Sequence, residues 1–583
     1  MFDLMQINPG LWVVIAGVIC ALIPKTGATG FLRKILVLGA PILAGALIYQ
    51  MYFGQDIGSD GVIGGKLLFG GIELTTLRID RLSLVWGFLF CLAGVINAIY
   101  GLHEKCRITD SSALVYTGAA IAGVLAGDMI TLFIFWELTA ISSVFLIWKG
   151  GEHAYAAGLR YLAIHVLSGV MLLAGAVMFA RANGGDFTFG YIGLDAPGGL
   201  LLLLAMGIKC GFPMLHMWMQ DAYPKASITG TVILASFTTK FAIYALARAF
   251  PGTDILIWIG CIMTCFPVFF AVVENDLRRV LAYSLNNQLG FMVAGIGIGT
   301  TMAMNGVVGQ VFVHVIFKGL LFMSIGAVMY RTGTAKASEL GGLFRSMPFT
   351  AVLCLIGAGS IAAFPLLAAF VTKSMILAAA VEEHLYIPFL MMLFASAGVM
   401  EHSGIKVPHF TFFAHDSGRR VKEAPWNMLV AMSLAAILCI VLAWPWGGYQ
   451  MLYALMPYET DYKPYTVDHV VFQMQLLFAA IFAFTLLKRF KLYPAERRAE
   501  ILDADWLYRK VGLNIALWGS AMWTRLGANI TRLRDATLGK AGKRLYQTFS
   551  PAGGLSQSTP SGLPAALIAG VLVLVLVLEY ITP

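Results

Sequence analysis

Runs of about 20 apolar residues recur along this chain of 583 residues, and that recurrence limits its fold more than any other feature. A run of that length crosses a hydrocarbon core of ~30 Å as one helix and is roughly twice as long as a barrel strand needs. The chain is 59% apolar and only 12% charged, with a mean hydropathy of +0.80, whereas a soluble domain carries roughly 25% charge. The expected fold is therefore an all-α polytopic membrane protein. Spans are predicted near 10–24, 33–51, 82–102, 111–127, 129–148, 159–180, 198–219, 226–248, 254–273, 280–299, 304–329, 348–380, 385–403, 426–446, 466–487 and 563–580, about sixteen in all. The first, Leu11–Leu22, follows a start with no Lys or Arg and lacks a small-residue cleavage site, so it reads as a span rather than a signal peptide.

Alternate connections are basic: Lys25/Arg33/Lys34, Lys105/Arg107, Lys149/Arg160, Lys225, Arg278/Arg279, Arg331/Lys336/Arg345, Lys406/Arg419/Arg420/Lys422 and Lys488 to Arg544. The others are acidic or nearly uncharged, including Asp186/Asp195 and Glu382/Glu383. Positive loops stay cytoplasmic, which places both termini on the outer side of a bacterial inner membrane. Between Lys488 and Arg544 there are 13 Lys and Arg against 5 Asp and Glu, a net of +8, interleaved with Trp506, Trp518 and Trp523. Beside a membrane this reads as a cytoplasmic interfacial segment rather than a nucleic-acid surface. The eight cysteines lie almost entirely in apolar segments without CxxC spacing, so neither disulfides nor a metal site is expected.

Proline interrupts two spans at mid-length, Pro213 in CGFPML (210–215) and Pro365 in AAFPLL (362–367). A proline removes a backbone donor, so each span is expected to be two half-helices. Their separation of 152 residues suggests duplication, and a five-helix unit repeated in tandem is inverted in the membrane, the usual setting of a transport site. The expected organisation is spans 1–3 in residues 1–110, a first inverted repeat (spans 4–8) in 111–250, and a second (spans 9–13) in 251–404. Spans 14–15 fill 405–487, the basic segment 488–562, and a last span 563–583.

Inside the spans lie Glu137, Lys209, Lys240, His314, Lys318 and Lys373. A central charge costs roughly 2.5–3.5 kcal/mol on insertion scales, so several together require pairing or a hydrated interior. At 1.5 Å per residue, all but Lys373 fall within roughly a third of the bilayer thickness of the midplane. They therefore form a line across the protein rather than along one helix, the layout of a proton relay. Burial disfavours a lysine's charged form and a nearby carboxylate restores it, which makes Glu137 and Lys209 the candidate switching pair. His314 and Lys318, four apart, share one helix face.

Plainer readings stand beside these. Glu137 can bond Ser142 or Ser143 structurally; His165 and His216 can be structural hydrogen-bonders; Lys240 and Lys373 can snorkel to an interface; Glu401 and His402, near a span end, can be solvated. Asn286, Asn287 and Gln288 either fix packing or line a water path, with His216 and Gln310 as further support. The GxGxG of AGIGIGT lies within a helix and implies no nucleotide site.

The stretches FWELTAISSVFLI, KCGFPMLHMWMQDAYPKAS, LRRVLAYSLNNQLGFM, HVIFKGLLFMSIGAVMY, GGLFRSMPFT and FPLLAAFVTKSMIL resemble the antiporter-like proton-pumping subunits shared by respiratory complex I, membrane-bound hydrogenases and Mrp-type cation/proton antiporters. Residues 402–510 are most similar to the D-type branch of the Mrp subunits. The resemblance implies a fourteen-helix core, a proton route through Glu137, Lys209, Lys240, His314, Lys318 and Lys373, no redox cofactor in this chain, and other membrane subunits as partners exchanging Na+ or K+ for protons. Two departures stand out. Gln310 replaces a histidine found in some relatives, and an amide cannot carry a proton through charge change. LNNQLG replaces a loop with small hydroxyl residues. The alternatives implied by the same resemblance are a pumping module of a redox complex and the membrane partner of a CO2 or bicarbonate uptake complex.

Overall fold

Hydrocarbon offers the backbone no partners, so its polar groups pair within helices. The computed structural model describes residues 7–24, 28–53, 62–69, 71–494, 501–552 and 562–581, in two units, Met1–Ile501 and Leu502–Pro583. The first unit runs α1 (Pro9–Leu22), α2 (Ala28–Phe53), β1 (Val62–Phe69), β2 (Ile72–Ile79), α3 (Arg81–Tyr100), α4 (Arg107–Val124), α5 (Met129–Trp148), α6 (Glu152–Ala182), α7 (Gly199–Cys210) and α8 (Met217–Ala222). It continues through α9 (Ile228–Ser236), α10 (Thr238–Ala249), α11 (Asp254–Val273), α12 (Leu277–Ile298), α13 (Thr301–Thr332), α14 (Pro348–Ile361), α15 (Ala368–Glu382), α16 (Tyr386–Val399), α17 (Trp426–Val441), α18 (Gly448–Ala454) and α19 (Val467–Arg489). The second unit holds α20 (Leu513–Phe549), a 37-residue helix with no buried residue, and the apolar α21 (Gly562–Ile581).

Every predicted span contains helix, and eight helical stretches among the described residues are long and apolar enough to cross a membrane individually. The span α13 and the stretch Ile228–Ala249 are buried throughout their apolar windows, whereas α2, α6 and α19 bury only a third or less of theirs. The exposed apolar side chains, such as Leu43, Val170, Phe269 and Phe482, suit a lipid-facing surface. The antiparallel hairpin β1–β2 was not anticipated; it is pinned by Arg78 N–H to the Leu125 carbonyl (2.7 Å) and Gly127 N–H to the Thr75 carbonyl (2.9 Å).

Helix starts follow short polar caps. Asp128 accepts from Thr131 N–H (α5), Asp276 from Arg278 N–H (α12) and Thr300 from Ala303 N–H (α13), each satisfying an orphan donor. Among the described residues, close backbone-to-backbone contacts through glycine join α1 to α4 and α11 to α12. A Cβ on Gly10 of α1 would lie 2.3 Å from Ala122 N, and one on Gly260 of α11 would lie 2.3 Å from Ala294 N of α12.

The basic connections are tied to one another. Arg33 and Lys34 pair with Asp110 at 2.7 and 2.9 Å, Arg278 donates to the Ala226 and Pro224 carbonyls, and Arg419 donates to the Thr332 carbonyl (2.8 Å). The intervening connections make a separate set of ties, including Ile192 N–H to Ala249 O (2.9 Å) and Gly252 N–H to Ile296 O (2.9 Å).

The broken spans are where proline placed them. α7 ends with Gly211 at φ +82°, and Phe212 N–H reaches back to the Gly207 carbonyl (3.0 Å). α14 ends with Ala363 at φ +58°, and Phe364 N–H reaches the Gly359 carbonyl (3.0 Å). This six-to-one bond with a left-handed residue is a Schellman stop. Met214 and Leu366 are left-handed as well, at φ +70° and +73°, so the two breaks match residue for residue 152 positions apart. A third break was not anticipated: Phe237 (φ −113°, ψ −64°) divides the span over 226–248 into α9 and α10.

Candidate functional site

Lys209 sits in the last turn of α7, fully buried, where the helix dipole favours a cation. Its Nζ donates to the Trp136 carbonyl and to Thr139 Oγ1 (3.1 Å) and lies 4.4 Å from the centre of the Trp136 ring. Trp136 is itself fixed, its Nε1 donating to Ser168 Oγ (3.0 Å), which donates to the Ala205 carbonyl (2.7 Å). The lysine is thus held by α5, and α5 is tied through α6 to α7. The neighbouring Glu137 is half-buried and leans on α6, where a Cβ at Gly169 would lie 1.6 Å from its Oε1.

No direct ion pair joins Glu137 to Lys209 among the described residues, although each charge acts on the other. The expected pair is therefore an apposition, because Trp136 O and Thr139 already take up the ammonium. The plainer reading of Glu137 is not met either: Ser142 donates to the Leu138 carbonyl (2.6 Å), and Ser143 bonds the Ala140 carbonyl and Tyr161. Glu137 Oε1 is buried without a partner.

Lys240 lies just past the unanticipated break, and its Nζ donates to the Ala235 carbonyl at 2.6 Å. That carbonyl is one the interrupted helix leaves free for a side-chain donor. His314 and Lys318 project from the buried α13, and neither His314 nitrogen nor Lys318 Nζ has a hydrogen-bond partner. Lys240 acts electrostatically on both, which joins α10 and α13 into one charged group. Lys373 on α15 lies 4.3 Å from the centre of the Phe291 ring, its Nζ otherwise without a partner. Lys240 and Lys373 are 0% and 1% exposed, so neither snorkels.

Amides span the ground between the two breaks. Thr372 Oγ1 donates to Gln310 Oε1 (2.6 Å), Gln310 Nε2 to Gln288 Oε1 (3.0 Å), Gln288 Nε2 to Asn287 Oδ1 (2.9 Å), and Asn287 Nδ2 to the Thr264 carbonyl (2.5 Å). This chain of dipoles, all pointing one way, binds α15, α13, α12 and α11 beside Lys373. Asn286 faces the other break, its Oδ1 only 2.9 Å from where a Gly211 Cβ would be, and His216 beyond the break packs on Phe266 (4.6 Å).

Three residues depart from expectation. His165 is not a hydrogen-bonder: both its nitrogens lack partners, and its ring packs on Tyr161 (4.1 Å) and Trp218 (4.5 Å). His402 is not solvated but 0% exposed, because its span continues past α16 as a wider π-helix, Met400–Lys406. Gly169, the wall behind Glu137, was not singled out from the sequence, since a glycine among small residues on a helix carries no distinguishing signal. Among the described residues no three His, Cys, Asp or Glu side chains group as metal ligands, and all eight cysteines are free thiols.

The family profile described as "NADH:quinone oxidoreductase/Mrp antiporter, TM" matches residues 126–400, the region holding Glu137, Lys209, Lys240, His314, Lys318 and Lys373. A D-type Na(+)/H(+) antiporter subunit of Alkalihalophilus pseudofirmus is 30% identical over 374 residues, 59% of this chain and 75% of that one. A probable A/B-type K(+)/H(+) antiporter subunit of Rhizobium meliloti is 28% identical, and hydrogenase-4 component B of Escherichia coli 26%, each over 63% of this chain. The chain spans 40% and 62% of the length of those two relatives. The solved Mrp complex from Dietzia sp. DQ12-45-1b has a chain of the same fold, with a TM-score of 0.74 at 22% identity over 91% of this chain and 62% of that one.

Proposed function

Because the chain belongs to the NADH:quinone oxidoreductase/Mrp antiporter family of multi-pass membrane proteins, we propose that it is the proton-translocating subunit of a multisubunit monovalent cation/proton antiporter in a bacterial inner membrane. The observation that carries the reading is the row of titratable groups on five spans, Lys209, Lys240, His314, Lys318 and Lys373 buried and Glu137 half-buried, four of them with a buried polar atom that has no partner. Burying that many charges without function costs several kcal/mol.

In this mechanism Glu137 is the tuning group. Turned towards Lys209 it favours the ammonium; turned away, against Gly169, it leaves the lysine free to give its proton to the Lys240, His314 and Lys318 group. Trp136 O and Thr139 hold the amine in place during the exchange. Lys373 delivers the proton at the far break, with the amide chain ordering its surroundings, and neighbouring subunits pass Na+ or K+. The reading is supported by the D-type antiporter subunit, 30% identical and matched over 75% of its length. The hydrogenase relative keeps the redox reading open to test: iron–sulfur or flavin subunits co-purifying with the chain would establish it.

The function is tested in everted vesicles of a strain lacking its own antiporters. Glu137→Ala and Lys209→Ala complexes, shown to be assembled, are expected to lose dissipation of a pH gradient on Na+ or K+ addition. Dissipation at the original rate by both would overturn the relay assignment.

A further inference from the structure

His402 is a buried titratable group that the relay above does not use, and its surroundings are specific. It sits in the π-helix Met400–Lys406, fully buried, with Nδ1 2.8 Å from Ser403 Oγ. Ser403 Oγ donates in turn to Ser284 Oγ of α12 at 2.6 Å. A serine has one hydrogen to give. With that hydrogen on Ser284, the one between His402 and Ser403 sits on Nδ1, which leaves Nε2 as a bare lone pair. Nε2 is buried with no partner.

The segment is placed where a relay needs a group. A Cβ at Gly404 would meet Ala362 Cβ at 3.5 Å and the Ala358 carbonyl at 3.7 Å, so the π-helix lies on the break of the span that carries Lys373. The charges acting on the ring are Lys318 from α13, Lys373 from α15 and Lys406 on its own turn. Lys318 and Lys373 belong to groups the relay otherwise leaves apart. Lys406, one turn on, is committed to the end of α11, donating to the Ala271 (3.2 Å), Val272 and Glu274 carbonyls. Ser284 stands seven residues into α12, about 10 Å from the end that carries Arg278 and Arg279. The fifth span of the first repeat is likewise interrupted, at Phe237, and carries Lys240 three residues later. π-Helical turns of this kind recur at functional sites.

We propose that His402, through Ser403 and Ser284, is a further relay residue giving Lys318 and Lys373 proton access to the face that carries Arg278 and Arg279. Nε2 takes a proton from the lysine side while Nδ1–H passes to Ser403 Oγ, whose own hydrogen moves to Ser284 Oγ as the Ser284 hydrogen leaves to a water molecule on the Arg278 and Arg279 side. One proton is transferred, and only N–H and O–H bonds form and break.

The inference rests on the antiporter reading, so the test carries that reading as its own control. In vesicles containing the whole complex, wild type must exchange Na+ or K+ for protons; if it does not, the proposed function fails rather than this branch. His402→Gln keeps a donor towards Ser403 but cannot bind a proton near neutrality. It is expected to assemble and melt as wild type while exchanging at least about tenfold more slowly, with the acid limb of the wild-type pH profile lost. Ser284→Ala, a smaller change at the far end of the chain, is expected to slow exchange severalfold and decides the matter if His402→Gln does not assemble. Wild-type rate and pH profile in either assembled variant overturns the branch.

Discussion

Gly169→Ala adds one methyl group to α6, and its effect is calculable from the position of Glu137. The new Cβ would lie 1.6 Å from Oε1 and 2.4 Å from the carboxyl carbon, where ordinary contact begins at 3.4 Å, so the carboxylate must move by about 1.8 Å. The helix itself gains by the exchange, roughly 0.5–1 kcal/mol in an exposed setting. The variant should therefore assemble and melt no earlier than wild type, yet displace the group proposed to tune Lys209. Misplacing a reacting group by about 1 Å costs up to roughly 100-fold in rate, so cation-driven proton exchange in everted vesicles should fall by roughly 10- to 100-fold, about 1.4–2.8 kcal/mol. Gly319→Ala on α13 is the control, since nothing lies within 4 Å of its added methyl. A Gly169→Ala complex exchanging at the wild-type rate would refute the role given to Glu137 and its wall.

Two further outcomes concern stability rather than exchange. Gly211→Ala forces a Cβ into the left-handed region, costing roughly 1–2 kcal/mol, and sets it 2.4 Å from Met219 Cε and 2.9 Å from Asn286 Oδ1; the purified complex should melt several degrees lower, while Ala363→Gly at the matching position should melt at or above wild type. At the start of α3, burial pushes the Asp80 carboxyl up, but Arg248, the Ser83 N–H and Arg78 outweigh it and hold it at about 2. Its unfolded value is near 3.9, so the stabilisation, about 2 kcal/mol, is complete above about pH 4 and lost as pH falls towards 2. Acid melts of Asp80→Asn should be correspondingly flatter across that window.

Much of this was legible in the sequence because hydrocarbon imposes simple rules. The length of each apolar run located the helices, and Pro213 and Pro365 located two breaks. Proline alone was not the signal, however: Pro41 and Pro267 lie inside the unbroken α2 and α11. What distinguishes Pro213 and Pro365 is a left-handed residue two positions before each, Gly211 and Ala363, and nothing about an alanine announces that. The break at Phe237 has neither proline nor glycine; Tyr116 from α4 accepts the Thr238 N–H there (3.0 Å), a tertiary cap invisible to local pattern. The relay lysines were readable because charge inside a span is rare. His402 was misread because its span continues as a π-helix, which no periodicity marks. The hairpin β1–β2 was overlooked because a search for apolar runs passes over the alternating pattern of ELTTLRI.

The matched breaks also set the mechanics of the bundle. An intact helix behaves as a stiff rod, so a push at one membrane surface arrives at the other. Across Gly211–Met214 and Ala363–Leu366 the ladder of backbone bonds is interrupted at left-handed residues on both sides of each proline. There the continuous backbone ladder between α7 and α8, or between α14 and α15, gives way to a joint, bridged in the first case by Trp218 Nε1 donating to the Ile208 carbonyl (2.9 Å). By contrast, α1 with α4 and α11 with α12 meet backbone to backbone and move as solid blocks. Strain applied at one surface is thus taken up at the breaks, beside Lys209 and about two turns before Lys373, rather than carried to the other surface along one rod.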